Sequence, residues 1–196
     1  MVLWLMAFLG FGLYLLYDVD SFLHLWKPFR WGFAVGTVLI CVATVLQMYN
    51  AIVAGAFTGF FDYVLLTLGL LSLAALIYCL FFALPFEATY TDPEQGRRTY
   101  TCGAYALCRH PGILCFFAMF LFWGIAALPT AFLQYGMTLS VLNLGYALFQ
   151  DRVTFPKTFC DYSAYREKVP FLLPTTDSFH RAVKTWGYPY EKEEEL

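Results

Sequence analysis

The chain has 196 residues, of which 60% are hydrophobic, 20% aromatic and only 13% charged, and its mean hydropathy is +0.61. A water-soluble domain carries about 25% charged residues, so the composition excludes an ordinary soluble domain and points to an integral membrane protein. The net charge of −2 comes from unevenly placed groups that form no basic stripe, which removes nucleic acid from the candidate partners.

A hydrophobic run needs about 20 residues to cross the bilayer core. Residues 2–17 form the first such run. No basic segment precedes it, and Asp18 and Asp20 follow it where a signal peptide would have small residues, so it reads as a short retained span. Residues 18–30 read as a polar loop whose Trp26, Lys27 and Arg30 mark an interface. Residues 31–54 form the second span. Its Gly32 and Gly36, four apart, suit close helix contact, and Gln47 and Asn50 near its end suit either a cavity or an interface.

A Gly-rich aromatic turn over 55–61 leads to a third span over 62–86, which ends at Pro85. Residues 87–110 are polar, with Glu87, Asp92, Glu94, Arg97 and Arg98. The fourth and fifth spans, 111–128 and 131–150, are joined so tightly at Pro129 that they form an antiparallel hairpin. Residues 151–196 mix charges with Phe155, Phe159, Tyr162, Tyr165 and Phe171. They predict a helix continuing from the fifth span, a turn between Pro170 and Pro174, an amphipathic surface segment and a solvated Glu-rich tail. The expected architecture is an all-α, polytopic membrane helix bundle, a single membrane domain over 1–196. It has about five transmembrane helices and a C-terminal cytoplasmic interfacial helical segment.

Charge placement orients it. Lys27 and Arg30 lie in the first loop, Arg97, Arg98 and Arg109 in the third, and the other seven basic residues after residue 150, which accounts for all 12. Five spans put every one of them on one side, so the positive-inside rule predicts an outside N-terminus and a cytoplasmic C-terminus and active site. The six cysteines are scattered. Cys102, Cys108 and Cys115 recur at intervals of six and seven, unlike zinc-ligand spacing, so no metal site and no disulfide framework is expected.

The densest polar chemistry lies in Gly103–Gly112. Pro111 suits the first position of a helix, which places Arg109 and His110 at its N-terminal mouth. Free N–H groups, the positive end of the dipole and a guanidinium make this a candidate anion-binding corner.

Two blocks carry a resemblance. Gly103-x-Tyr105-x-x-x-Arg109-His110-Pro111 resembles the G-x-Y-x-x-x-R-H-P signature of the isoprenylcysteine carboxyl methyltransferase and phospholipid methyltransferase superfamily. After the hairpin, Gln150-Asp151, Tyr162-x-x-Tyr165 and Lys168-Val169-Pro170 are similar to the second block of that family, so the resemblance covers about 90–174. It implies S-adenosyl-L-methionine as cofactor and a lipophilic substrate entering from the bilayer. It carries cofactor binding onto Arg97, Arg98, Thr99, Tyr100, Gly103, Tyr105, Arg109, His110, Pro111, Gly112 and Ile113, and places the family's binding glutamate on Gln150 or Asp151. Arg109 would hold the cofactor carboxylate, Asp151 its ammonium or a ribose hydroxyl, and Tyr100 or Tyr105 its adenine or sulfonium. For an amine acceptor, Asp151 or His110 is the candidate general base.

Three positions depart from the family. Gln150 replaces one acid of a pair, Tyr146 stands where a substrate-contacting arginine is expected, and Ile113 replaces an aromatic residue.

Each assignment has a plainer counterpart. Arg109 and His110 would anchor a helix end by snorkelling, Arg97 and Arg98 would set topology, and Tyr105, Tyr162 and Tyr165 would join the aromatic belt. Asp151 would cap a helix or pair with Arg152. His24 and His180 receive no role. The competing functions are an NADPH-dependent membrane reductase on a sterol-reductase-like scaffold, with Arg97 and Arg98 on a 2′-phosphate, and a non-catalytic membrane relative.

Overall fold

The computed structural model describes residues 1–23, 25–83 and 97–186. His24, the expected end of the third span at Pro85, the acidic residues Glu87, Asp92 and Glu94, and the Glu-rich tail lie outside them. Every regular element among the described residues is a helix, and the extended backbone makes one isolated parallel bridge, Arg97 to Phe159.

The helices are α1 (Val2–Leu23), α2 (Gly32–Val53), α3 (Phe60–Phe81), α4 (Ala104–Leu107), α5 (Pro111–Ala126), α6 (Phe132–Phe149), α7 (Phe155–Thr158), α8 (Tyr162–Lys168) and α9 (Thr176–Thr185). A 3-10 turn over Lys27–Trp31 leads into α2, and a π-helical turn over Gln150–Thr154 follows α6. Three helical stretches are long and apolar enough to cross a membrane: Val2–Leu23, Lys27–Val53 and Phe60–Phe81. They expose large apolar side chains such as Leu5, Phe8, Val38, Val45, Leu70 and Leu71. Such a surface is stable against lipid chains and associates in water. Pro111–Ala126 is equally apolar but has 16 residues, and α6 carries Gln134, Thr138, Ser140 and Asn143 along its length.

The chain forms two compact units, Met1–Leu73 with Phe116–Thr154, and Ala74–Cys115 with Phe155–Leu196. Two of the boundaries fall inside α3 and α5, and the third follows the π-helical turn.

In the first unit, α1 and α2 touch backbone to backbone. A Cβ placed on Gly36 would lie 2.6 Å from the Gly10 carbonyl oxygen, and one on Gly10 would lie 2.9 Å from that of Gly36. The glycine pair of α2 therefore serves close packing, and Gly10 is its partner across the contact. Tyr135 of α6 is buried between them, with its ring 5.5 Å from that of Trp4 and its hydroxyl 3.4 Å from that of Thr44. The expected hairpin is present: Phe120 of α5 seats against Gly136 of α6, and Leu133 against Gly124.

One boundary differs from expectation. The first helix does not stop at residue 17 but runs to Leu23, with Asp18 and Asp20 buried inside it. Both carboxylates are hydrogen-bonded, which removes the need for water. Asp20 accepts from the Trp26 backbone N–H at 2.8 Å, and Asp18 accepts from the Thr154 hydroxyl at 3.4 Å.

In the second unit, Phe155, Phe159, Tyr162, Tyr165 and Val169 form an apolar cluster. Tyr162 and Tyr165 belong to this interior, not to an exposed aromatic belt. The Thr175–Ser178 capping box starts α9, which buries Ser178 and Ala182 on one side and exposes Phe179 and Val183 on another, with exposed Trp186 just past its end.

Candidate functional site

The chain from Arg97 to Ile113 is fixed almost wholly by hydrogen bonds within the second unit. The extended piece 97–100 lies along the start of α8: the Arg97 carbonyl accepts from the Cys160 N–H at 3.0 Å, and the Thr99 N–H donates to Asp161 Oδ1 at 2.8 Å. Arg97 and Arg98 are exposed, while Thr99 is 6% exposed and its hydroxyl has no hydrogen-bond partner among the described residues. A buried hydroxyl without a partner costs free energy. The Tyr100 and Tyr105 rings meet edge to face, 6.4 Å apart.

Gly103 turns the chain at φ +56°, ψ −127°, a conformation that L side chains rarely adopt, and its N–H donates to the Thr185 hydroxyl at 3.0 Å. Tyr105 donates its hydroxyl to the Cys79 carbonyl near the end of α3, at 3.0 Å. That carbonyl is among the last in the helix and lacks an intrahelical partner.

Arg109 is 9% exposed. Its Nη1 donates to the carbonyls of Arg166 at 3.0 Å and Val169 at 2.6 Å, its backbone N–H donates to the Pro170 carbonyl at 2.9 Å, and its guanidinium lies 5.6 Å from the Phe171 ring centre. It thus holds the end of α8, where carbonyls lack helical partners and a cation is favoured by the dipole. This is an anchor at a helix end, as the plainer reading has it, but the end is that of α8 and the guanidinium is buried, not snorkelling. His110 packs parallel to Phe155 at 5.8 Å and edge-on to Phe171 at 5.0 Å, just before Pro111 opens α5. Gly112 and Ile113 lie half-buried in its first turn.

Tyr165 donates to the Tyr105 carbonyl at 2.8 Å, and burial holds its hydroxyl well above its ordinary pKa, so it remains a donor. Burial likewise pushes the Cys108 thiol up to about 11, so it is protonated at neutral pH and no nucleophile.

The remaining sequence candidates belong to the first unit. Asp151 is 3% exposed in the π turn, Gln150 is half-buried, and its amide donates to the Tyr146 hydroxyl at 2.9 Å. Sequence reasoning missed Asp18, Asp161, Thr185, Phe155 and Phe171. Only Asp18 had a legible signal, a carboxylate where an apolar helix had room to continue.

These features define an all-helical protein with helices long and apolar enough to cross a membrane and a polar strap, 97–113, clamped onto its C-terminal helices. The chain matches no protein-family model, no curated protein and no solved structure.

Proposed function

We propose that this chain is an integral membrane methyltransferase that uses S-adenosyl-L-methionine on a lipid, a lipidated group or a small lipophilic acceptor. The observation that carries the reading is that the first sequence block packs against the Tyr162–Phe171 part of the second inside one unit: Arg109 on Val169 and Pro170, Tyr105 on Tyr165, His110 on Phe171.

The donor set fits the cofactor. Arg97 and Arg98 suit its carboxylate, the Tyr100–Tyr105 pair suits adenine or the sulfonium, and the buried Thr99 hydroxyl has capacity for one more polar partner. Arg109, with Nη1 on two carbonyls, shapes the strap; Arg97 and Arg98 take the anionic end. When bound, the cofactor supplies an electrophilic methyl group. The protein contributes orientation and exclusion of water, which are the main aids to a one-step displacement. His110 is the general base in this unit for a protonated amine acceptor. Asp151 is assigned its part by the sequence resemblance alone, and Asp151→Asn tests it.

The membrane arrangement belongs to the same reading. Five spans over 2–23, 32–53, 60–81, 111–126 and 132–149 put every basic residue on the cytoplasmic side, with the N-terminus outside. The last two are roughly 24 and 27 Å long by helical rise, a shortfall that tilt and bilayer thinning absorb. Phe179 and Val183 lie along one side of α9, with Trp186 just past its end and Arg181 and Lys184 beside them, the layout of a helix resting in the interface.

Calorimetric titration of the purified protein with S-adenosylhomocysteine, and separately with NADPH, tests the reading. Binding of the first alone is expected. Binding of NADPH alone would replace the methyltransferase by a reductase, and binding of neither would leave a non-catalytic membrane protein.

A further inference from the structure

Asp18 lies in the last turns of apolar α1 and is 4% exposed. The described groups that meet its carboxylate are all uncharged: the Thr154 hydroxyl at 3.4 Å, and the side chains of Tyr146 and Gln150. The Gln150 amide also donates to the Tyr146 hydroxyl at 2.9 Å, and the Tyr146 ring lies 5.3 Å from that of Tyr14. A carboxylate in an apolar helix is costly unless its oxygens are met by donors, and intramembrane carboxylates mark function more often than packing. An amide NH2 and two hydroxyls supply those donors without a countercharge.

This explains the residue at position 150. A glutamate there would set a second carboxylate beside Asp18, and one of the two would have to keep its proton. The cluster has one carboxyl group, and α1 provides it. The arrangement also grips the turn itself. Gln150 begins the π turn and Thr154 ends it, and both reach Asp18, while Asp151 lies between them. Turns of this type recur at functional sites because the extra residue re-aims the side chains that follow.

We propose that Asp18 is a positioning residue: through Tyr146, Gln150 and Thr154 it fixes the turn that carries Asp151. Its effect on cofactor binding rests on the methyltransferase reading; its coupling to position 150 does not.

The test uses the full-length protein in detergent with Asp18→Asn, Gln150→Glu and the double variant, read by thermal unfolding midpoint and by S-adenosylhomocysteine affinity. Gln150→Glu is expected to lower the midpoint by about 5 °C and to weaken binding by about tenfold. Asp18→Asn should show smaller losses. The double variant, with the carboxyl group moved across the contact, should recover both to near wild type, because neighbouring groups in one network are not additive. Additive losses in the double variant would overturn the proposal. If Gln150→Glu does not fold, the double variant still decides, since the proposal requires it to fold and a failure to do so would refute it. Wild-type protein that does not bind S-adenosylhomocysteine, together with recovered stability in the double variant, would sink the methyltransferase reading and leave the Asp18 coupling standing. Recovered stability without recovered binding, in a wild type that does bind, would refute the positioning role.

Discussion

Each unit buries an ionisable side chain, and each satisfies it by different means. Arg109 is met by backbone carbonyls at the end of α8, whereas Asp18 is met by the side chains of Tyr146, Gln150 and Thr154. A carbonyl is present whatever residue bears it. Arg109 therefore constrains the path of the chain through 166–170 and leaves the residue types there open. Asp18 constrains residue types. The first side chain should tolerate substitution among its partners and the second should not.

The largest effect should come from removing the charge whose partners cannot adjust. Arg109→Ala strands two carbonyls and loses the Phe171 contact, a loss of about 3 kcal/mol for two hydrogen bonds to a charged group. Arg109→Lys should cost less but not nothing, because an ammonium on a flexible stem does not reproduce the guanidinium's fork. Equilibrium unfolding in mixed micelles, followed by helical circular dichroism, measures both. Arg166→Ala keeps the carbonyl and changes only an exposed side chain, so it should cost well under half as much as Arg109→Ala. Equal losses would end the distinction between backbone and side-chain satisfaction.

The helix contact of the first unit also depends on backbone, but through proximity. Gly36→Ala puts a Cβ where the Gly10 carbonyl stands, and overpacking of that kind costs about 2 kcal/mol. Gly12→Ala, where a Cβ meets nothing within 4 Å, should be neutral or gain up to about 1 kcal/mol from helix propensity. The pair of variants on neighbouring helices separates close packing from propensity in one unfolding experiment. A Gly36→Ala protein as stable as wild type would mean that α1 and α2 can move apart without loss.

Much of this was legible in sequence, and the illegible parts share a cause. Apolar runs of membrane length gave α1, α2 and α3, and Pro111 gave the start of α5, because length, hydropathy and the missing proline N–H are local properties. The spacing of Gly32 and Gly36 marked a contact but not its partner, since Gly10 carries no pattern of its own. The end of α1 was misplaced because an aspartate reads as a loop signal until its partners are known. Those of Asp18 lie more than 120 residues away in sequence. Arg109 was recognised as a key residue and its immediate partners were not, because backbone carbonyls at 166 and 169 leave no trace in residue type.

A smaller effect belongs to Gly103. A Cβ there would meet no atom within 4 Å, so Gly103→Ala isolates the conformational penalty of φ +56°, about 1–2 kcal/mol. The strap it turns should loosen, with faster amide hydrogen exchange at 97–108. Unchanged exchange would show that the Thr99–Asp161 and Arg109 anchors hold the strap without the turn.

Alkaline pH should act on the second unit through Cys108. Its folded value, about 11, lies above the ordinary thiol value of about 8.5. Below the ordinary value both folded and unfolded chains keep the proton, and the shift has no effect. As pH rises above it, the unfolded chain releases a proton that the folded chain retains. Stability therefore falls between these two values and levels off beyond the folded one. Tyr165, also raised by burial, adds a loss in the same direction at higher pH. Cys108→Ala should flatten the first part of that decline, at a cost of about 1 kcal/mol at neutral pH for the buried sulfur it removes. Maleimide labelling at pH 8 gives the independent check: exposed Cys160 should react at once, and Cys108 only on unfolding. Prompt labelling of Cys108 in the folded protein would show that the segment before Arg109 opens to solvent, and that the carbonyl clamp is weaker than its hydrogen bonds imply.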